Sequence, residues 1–291
     1  MKEKKLKVKN DIVFKEIFSK KGNETFIQDF LSGLLKRKIE KVEIIKDVSL
    51  AKNTVSEKLG VIDIKATLDD NEIVDIEMQM GYYKNMEDRV LYYSSKLISS
   101  QLEIKEEYKK LKPVIVILIL NYNIFPYEEY ITESKTVVKS NEEYEIMKKQ
   151  KFYFIELEKY RNKKFNEEDK LAQWLAFIDG EDKERVSVAM KKNKEIKKAN
   201  EEYEYLTGDE EIKRLSELRE KWIRDYNSGI SEGYETGKNY GYEIGKSDGY
   251  ETGKSEGYET GKSEGYETGK SEGYETGKSE GYETGINQGE K

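Results

Sequence analysis

The sequence predicts an α/β layered domain, followed by helices and then a low-complexity tail. Three observations lead there. Two neighbouring segments, residues 61–68 and 73–80, alternate apolar with charged or polar residues, the period-two signature of half-buried strands. Residues 114–120 are apolar without interruption, as in a central strand buried on both faces. Around these strands lie segments whose apolar residues recur at helical spacing, so strands and helices are mixed over roughly 1–160, with helical additions to about 228.

Taken in order, residues 11–19 read as a short helix with Val13, Phe14, Ile17 and Phe18 on one face and Asn10 as its N-cap. A second helix over 23–35 carries Phe26, Ile27, Phe30, Leu31, Leu34 and Leu35. A strand over 42–50 precedes the two alternating segments, which Asp69, Asp70 and Asn71 join as a loop of hairpin length. That loop sets a register. Asp63 opposes Glu77, Lys65 opposes Asp75, and Ile62, Ile64, Val74 and Ile76 point to the other face. Lys65–Asp75 is a favourable cross-strand pair, whereas two carboxylates about 4.5–5.5 Å apart repel unless a cation stands between them. A divalent metal would fit. A helix over 86–102 turns Val90, Tyr93 and Leu97 inward, with Ile104 as a further candidate. Pro113 introduces the apolar strand, a less regular stretch follows, and a strand is expected over 152–157. Helices are expected over 168–178, 181–205 and 209–226.

Composition narrows the chemistry. The 291 residues include no Cys and no His. Zinc fingers, Cys-His or Ser-His pairs and His-metal sites are therefore excluded, and acid–base or metal work falls to carboxylates, Lys, Tyr and water. Oxygen-only donors suit hard cations such as Mg²⁺, Mn²⁺ or Ca²⁺. No apolar run approaches the ~18 residues of a membrane span, and the N-terminus lacks the apolar core of a secretory signal. Without Cys the expected location is cytoplasmic. The net charge of −7 belongs to the tail: from Gly229 onward there are 14 acidic residues against 7 Lys, so residues 1–228 are neutral. Local basic clusters remain, within 2–9, 36–41 and 191–198, but nothing marks a strong nonspecific nucleic-acid binder.

From Gly229 to Gly289 a glycine falls at every fourth position, sixteen in all, and the unit becomes a near-perfect Gly-Tyr-Glu-Thr-Gly-Lys-Ser-Glu octad. As a helix, sixteen glycines would cost roughly 13–16 kcal/mol relative to alanine. One Glu–Lys pair per octad, such as Glu251–Lys254, returns only about 0.2–0.5 kcal/mol. Propensity loses, and an isolated tail should be mostly disordered unless its Gly stripe packs against another helix. Self-association through the Gly/Tyr surface is the alternative to a solvated tail.

Acidic residues alternating along a strand are usually its wet face. Here Asp63 and Glu77 oppose each other, Gln79 extends the same face, and the preceding helices could bring Asp11 or Glu16 to that end of the sheet. The chain also carries an ordered series of short motifs. Asn10-Asp11-Ile-Val-Phe14-Lys15-Glu16-Ile-Phe18 is followed by Asp63-Ile-Lys-Ala and Ile76-Glu77-Met78-Gln79. Arg89-Val-Leu-Tyr92-Tyr93-Ser-Ser-Lys-Leu97 and Leu111-Lys-Pro113-Val-Ile come next, then Asp169-Lys-Leu with Trp174, and Leu218-Arg-Glu-Lys with Asp225-Tyr226. In order and spacing the series resembles the PD-(D/E)XK nuclease family transposases, also called the Rpn family of recombination-promoting nucleases, over about 8–228.

The resemblance implies a restriction-endonuclease-like fold with an αβββαβ core. It divides the chain into a nuclease-like domain over 8–160, a helical extension over 161–228 and the Gly-repeat tail over 229–291. It further implies Mg²⁺-dependent hydrolysis of DNA, with Mn²⁺ as an alternative ion. Asp63 and Glu77 would be metal ligands, joined by the backbone carbonyl of Met78, and Gln79 takes the place where the wider superfamily has Lys. Ile62 replaces the superfamily's Pro. Asp11, Lys15 and Arg89 are candidates for supporting the site or contacting phosphate. Each has an ordinary alternative: Asp11 as a first-turn acid favoured by the helix dipole, Lys15 as a solvated side chain, Arg89 as a partner of Glu87 or Asp88. Tyr92 and Tyr93 read as helix core. The rival expectation is a non-catalytic protein that keeps this fold and homo-oligomerises through its tail. The enzyme reading requires that residues 63 and 77 face each other and that neither is sealed inside the protein.

Overall fold

A computed structural model describes residues 6–45, 63–69, 71–82 and 85–289. Its contacts divide the chain into two units, Met1–Ile223 and Arg224–Lys291. The first unit is built on a six-stranded mixed sheet.

The sheet's centre follows from the apolar run. Strand β4 (Val114–Leu120) is buried at every position. Alternation splits it between two layers: Ile115, Ile117 and Ile119 join the larger core, and Val114, Val116, Leu118 and Leu120 the smaller one on the opposite face. Strands β1 (Val42–Ile45), β2 (Asp63–Leu68) and β3 (Glu72–Gln79) form an antiparallel meander beside it, and β3 pairs with β4 in parallel. A parallel neighbour needs a crossover, and the helix α3 (Met86–Ser99) supplies it. On the far side β4 pairs in parallel with β8 (Gln150–Glu156), which takes β5 (Ile131–Ser134) as an antiparallel edge; β6 (Val137–Val138) and β7 (Asn141–Glu145) make a separate ribbon.

Helices α1 (Asp11–Ser19) and α2 (Glu24–Leu34) cover the larger core face, joined there by α5 (Lys170–Asp179). Asn10 caps α1 through its side chain, as its position before the first apolar residue predicts. Trp174 of α5 is fully buried and meets Phe18, Phe26 and Phe177 at ring-centroid distances of 5.5, 6.3 and 6.0 Å. Its indole N–H donates to Asp29 at 2.9 Å, so the one polar atom of the ring is satisfied inside the core. A short α4 (Leu157–Arg161) follows β8; α6 (Lys183–Lys192) and α7 (Lys194–Leu206) complete the layer.

Several expectations need correction. The helix expected over 181–205 is two helices, because Asn193 leaves helical geometry and caps α7 through Oδ1, while its amide donates to Asp29 at 2.7 Å. The α3 crossover ends at Ser99, so Ile104, five residues further on, has left the helical face and is 90% exposed. The less regular stretch holds β5–β7, which lack an apolar run because they are short and largely exposed. The strand expected over 42–50 is described only to Ile45; its remainder, and Val61 and Ile62, lie outside the described residues.

The second unit is a helix. The last helix, α8, runs from Glu210 to Gly289, where disorder was expected past residue 228. Its first turns belong to the first unit, where Ile212 and Ser216 are buried and Ser216 Oγ lies 3.2 Å from Asn10 Oδ1. Extending a formed helix avoids the nucleation penalty that an isolated tail would meet. The i,i+4 spacing of Tyr250, Lys254 and Tyr258 places these side chains as neighbours on one helix face, as i,i+3 spacing does the Glu–Lys pairs. A Cβ at any glycine from Gly229 to Gly277 would meet nothing within 4 Å, so no close approach among the described residues requires those glycines.

Candidate active site

The backbone of β3 sets the geometry. Ile73 N–H donates to Pro113 O at 2.8 Å, and Gln79 O accepts from Asn121 N–H at 3.0 Å. The odd-numbered residues of β3 therefore turn their backbone groups toward β4. Asp63 and Glu77 are Cα partners, and Lys65 pairs with Asp75, in the register that the loop predicted. Because Glu77 bonds toward β4, the Asp63–Glu77 position is a non-hydrogen-bonded pair, the kind that brings Cα atoms to about 4.5 Å. By the same alternation the Met78 carbonyl is directed toward β2. Of Asp63 only the backbone is described.

Glu77 is buried, 3% exposed, with Asp75 at 1% and Gln79 at 6% on the same face. This corrects the expectation of a half-solvated strand. The face looked wet from the sequence because it is acidic; the crossover helix α3 and the side chains of β4 cover it. A carboxylate so placed is costly unless partnered. Gln79 Nε2 donates to Glu77 Oε2 at 2.8 Å, and Arg89 Nη2 of α3 stands 3.8 Å from the same oxygen, beyond hydrogen-bond range but within ion-pair range. Arg89 also lies over the Tyr93 ring, 5.6 Å from its centroid.

Arg89 therefore meets Glu77 rather than only its sequence neighbours Glu87 and Asp88. Asp11 is buried in the first turn of α1, where its Oδ1 accepts from Ile12 N–H at 3.0 Å. Lys15, one turn on, is half-buried, and Glu16 is exposed, on a helix that lies against β2 and β3. Tyr92 is 63% exposed, correcting its assignment to the core, and Tyr93 is half-buried against it at 5.4 Å.

A second polar cluster, unsuspected from sequence, lies just beyond the ends of β4 and β8. Lys9 Nζ donates to Asn121 Oδ1, Asp179 Oδ1 and Glu181 Oε1 at 3.1, 3.0 and 2.7 Å, and Arg161 makes two bonds to Asp179 through Nε and a third through Nη2, which also reaches Asn121. Lys9 and Asp179 are both buried. Hydrogen bonds from Lys7 and Lys9 hold the Glu181 carboxyl well below its ordinary range, at about 2. These residues sit far apart in the chain, so no spacing signalled them. The positive and negative groups satisfy one another, which makes the cluster a clasp between the N-terminal segment and the later helices.

The donors at the hairpin suit a hard divalent cation: the Glu77 carboxylate, the Met78 carbonyl and, by register, position 63, all oxygen. Among the described residues no three acidic side chains gather into a metal-binding group. None of the described helices is long and apolar enough to cross a membrane. No curated protein and no solved structure matches the chain. The family model for PD-(D/E)XK nuclease family transposases matches residues 8–233, a span that holds the whole sheet, the acidic hairpin and the start of α8. PD-(D/E)XK nucleases generally use divalent metals. With the mixed sheet, its flanking helices and well over half of the sequence accounted for in this way, the chain belongs to the PD-(D/E)XK nuclease family transposases.

Proposed function

We propose that this protein is a DNA endonuclease that hydrolyses phosphodiester bonds with Mg²⁺, or with Mn²⁺ in its place, in recombination or in the movement of mobile elements. The observation that carries the reading is the register that makes Asp63 and Glu77 Cα partners. The burial of Glu77, 3% exposed, runs against the condition that neither carboxylate be sealed inside, so the reading further requires this carboxylate to open when the ion binds. The two carboxylates and the Met78 carbonyl would hold the ion. When bound, it supplies Lewis-acid charge at the scissile phosphate. Gln79 has no titratable proton at working pH, so it acts as a positioning residue that fixes Glu77 through the 2.8 Å bond. Asp11 and Lys15 would support this end of the sheet from α1.

The test is plasmid nicking with Mg²⁺ against EDTA. Asp63→Ala and Glu77→Ala should each bring cleavage to background while circular dichroism shows the fold retained; full cleavage by both variants would overturn the assignment.

A specific observation favours a second reading. Glu77 is almost inaccessible, and position 79 carries no charge. A nuclease fold kept for interaction, with the tail driving assembly, would look the same. Calorimetry separates the two: an enzyme site takes up Mn²⁺ and loses that uptake in Glu77→Ala, whereas an interaction module binds none at this position.

A further inference from the structure

We propose that the cavity just beyond the carboxyl ends of β3 and β4 takes a nucleobase of a DNA strand, one that presents a keto oxygen where others present an amino group. The inference rests on the endonuclease reading and names the part of the substrate that this neighbouring cavity holds.

The cavity encloses about 770 Å³, within the range of small-molecule sites, and Met80 and Leu6 give it apolar surface. It borders the candidate active site through the backbone. Asn121 in its wall donates its N–H to Gln79 O at 3.0 Å, and Gln79 holds Glu77. Crevices outside the carboxyl ends of parallel strands are where open α/β sheets take their ligands.

Two side-chain amides in the wall have their orientation forced by chemistry. Asn10 Oδ1 accepts from the N–H groups of Ile12 and Val13 and lies 3.2 Å from Ser216 Oγ. Asn121 Oδ1 accepts from Lys9 Nζ at 3.1 Å and from Arg161 Nη2 at 2.6 Å. Only an amide oxygen can face such donors, so each Nδ2 points away from them. Neither Nδ2 makes a hydrogen bond among the described residues, and both keep access to solvent, although Asn10 is only 7% exposed. Both residues line the cavity, so two N–H₂ groups there call for acceptors.

Charge decides what brings the acceptor. Three lysines and four glutamates line the cavity. Lys9 uses its three protons on Asn121, Asp179 and Glu181, and Lys7 is bonded to Glu181. A phosphate would enter a wall with one negative charge in excess, whereas an uncharged base meets no such repulsion. A keto oxygen accepts from an amide N–H₂, while an exocyclic amino group in its place sets donor against donor. The acidic rim, with Glu217 in it, suits the ring N–H that keto bases carry beside that oxygen. A base in a single strand reaches such a pocket at little unstacking cost.

The experiment is fluorescence anisotropy of the full-length protein with labelled single-stranded oligo(dU) and oligo(dC) of equal length, in EDTA. The probes share backbone and charge and differ at the exocyclic group and the ring nitrogen beside it. Wild type should bind oligo(dU) about tenfold more tightly, within the range that a well-made base contact discriminates. Asn10→Asp and Asn121→Asp keep the accepting oxygen, and with it the cap and the clasp, but exchange the donor for a second acceptor. Each should erase or reverse the preference, with folding checked by circular dichroism; a merely structural role would weaken both probes alike. Equal affinity for the two probes in wild type, binding of neither, or a preference unchanged in both variants overturns the base site. If both Asp variants fail to fold, Asn10→Ser, which keeps a capping oxygen and adds no charge, decides by the same ratio. Because EDTA excludes cleavage, a negative nicking assay overturns the endonuclease reading without touching this ratio, and equal probe binding here leaves the nicking result standing.

Discussion

The Glu77 carboxylate oxygen Oε2 is approached by Gln79 Nε2 at 2.8 Å and by Arg89 Nη2 at 3.8 Å. Gln79 donates a neutral hydrogen bond that orients the carboxylate without competing for its charge. Removing it in Gln79→Leu should weaken Mn²⁺ binding about 10–100-fold, the usual cost of losing a partner that orients a metal ligand. Calorimetry reads that loss directly. Elsewhere in the molecule Glu181 offers a pH-dependent test. Its carboxyl is held at about 2 against an ordinary 4.5, first by its hydrogen bond from Lys7 and then by that from Lys9. A group whose folded pKa is depressed adds stability above its unfolded value and loses it as pH falls through the folded one. Wild type should therefore exceed Glu181→Gln in melting temperature above pH 4.5, and the two should converge as pH falls toward about 2. A difference that persists at the acid end would show that the clasp does not depend on this charge.

Among the elements, α2 and α5 meet at the closest backbone approach that a glycine permits in this fold. A Cβ at Gly33 would fall 2.9 Å from Leu171 N, a backbone atom that cannot move aside cheaply. Gly→Ala in a helix interior ordinarily gains about 0.5–1 kcal/mol. Overpacking against a fixed neighbour costs about 1–3 kcal/mol, so the clash should win and Gly33→Ala should be destabilised in urea unfolding. An unchanged or raised midpoint would mean that the two helices separate freely. The break between α6 and α7 follows a related logic. Helical spacing runs through 181–205 without a signal strong enough to interrupt it, but Asn193 is fixed by Asp29 of α2 through a 2.7 Å bond. A contact from a distant helix thus decides where a local pattern is cut.

At the scale of the whole molecule, one unit has a core and the other is a single helix without one. Trp174, Phe14, Phe18 and Phe30 are fully or almost fully buried in the first unit, whereas tyrosines of the tail such as Tyr250, Tyr258, Tyr266 and Tyr274 are each more than 70% exposed. Stability should therefore reside in the first unit. A chain ending at residue 228 should melt within a few degrees of the full-length protein, since a kilocalorie shifts the midpoint of a domain this size by about 2–4 °C. Far-ultraviolet circular dichroism supplies the sharper outcome. Removing a helical tail lowers the mean helicity per residue, and removing a disordered one raises it. Sedimentation of the same two chains tests assembly: identical monomeric behaviour would remove the tail as an oligomerisation element.

The sequence alone determined the hairpin. Period-two alternation identified its strands, three loop residues set their register, and the facing of positions 63 and 77 followed because side-chain direction in a strand is a local property. It also determined α1 with its Asn10 cap and the central strand, for the same local reason. Tertiary structure decided that the acidic face of β3 is buried, that Arg89 meets Glu77 and that Lys9 joins Asn121 and Asp179. Those outcomes depend on which element covers which face. Packing between residues far apart in the chain settles that, and no periodicity within one segment encodes it.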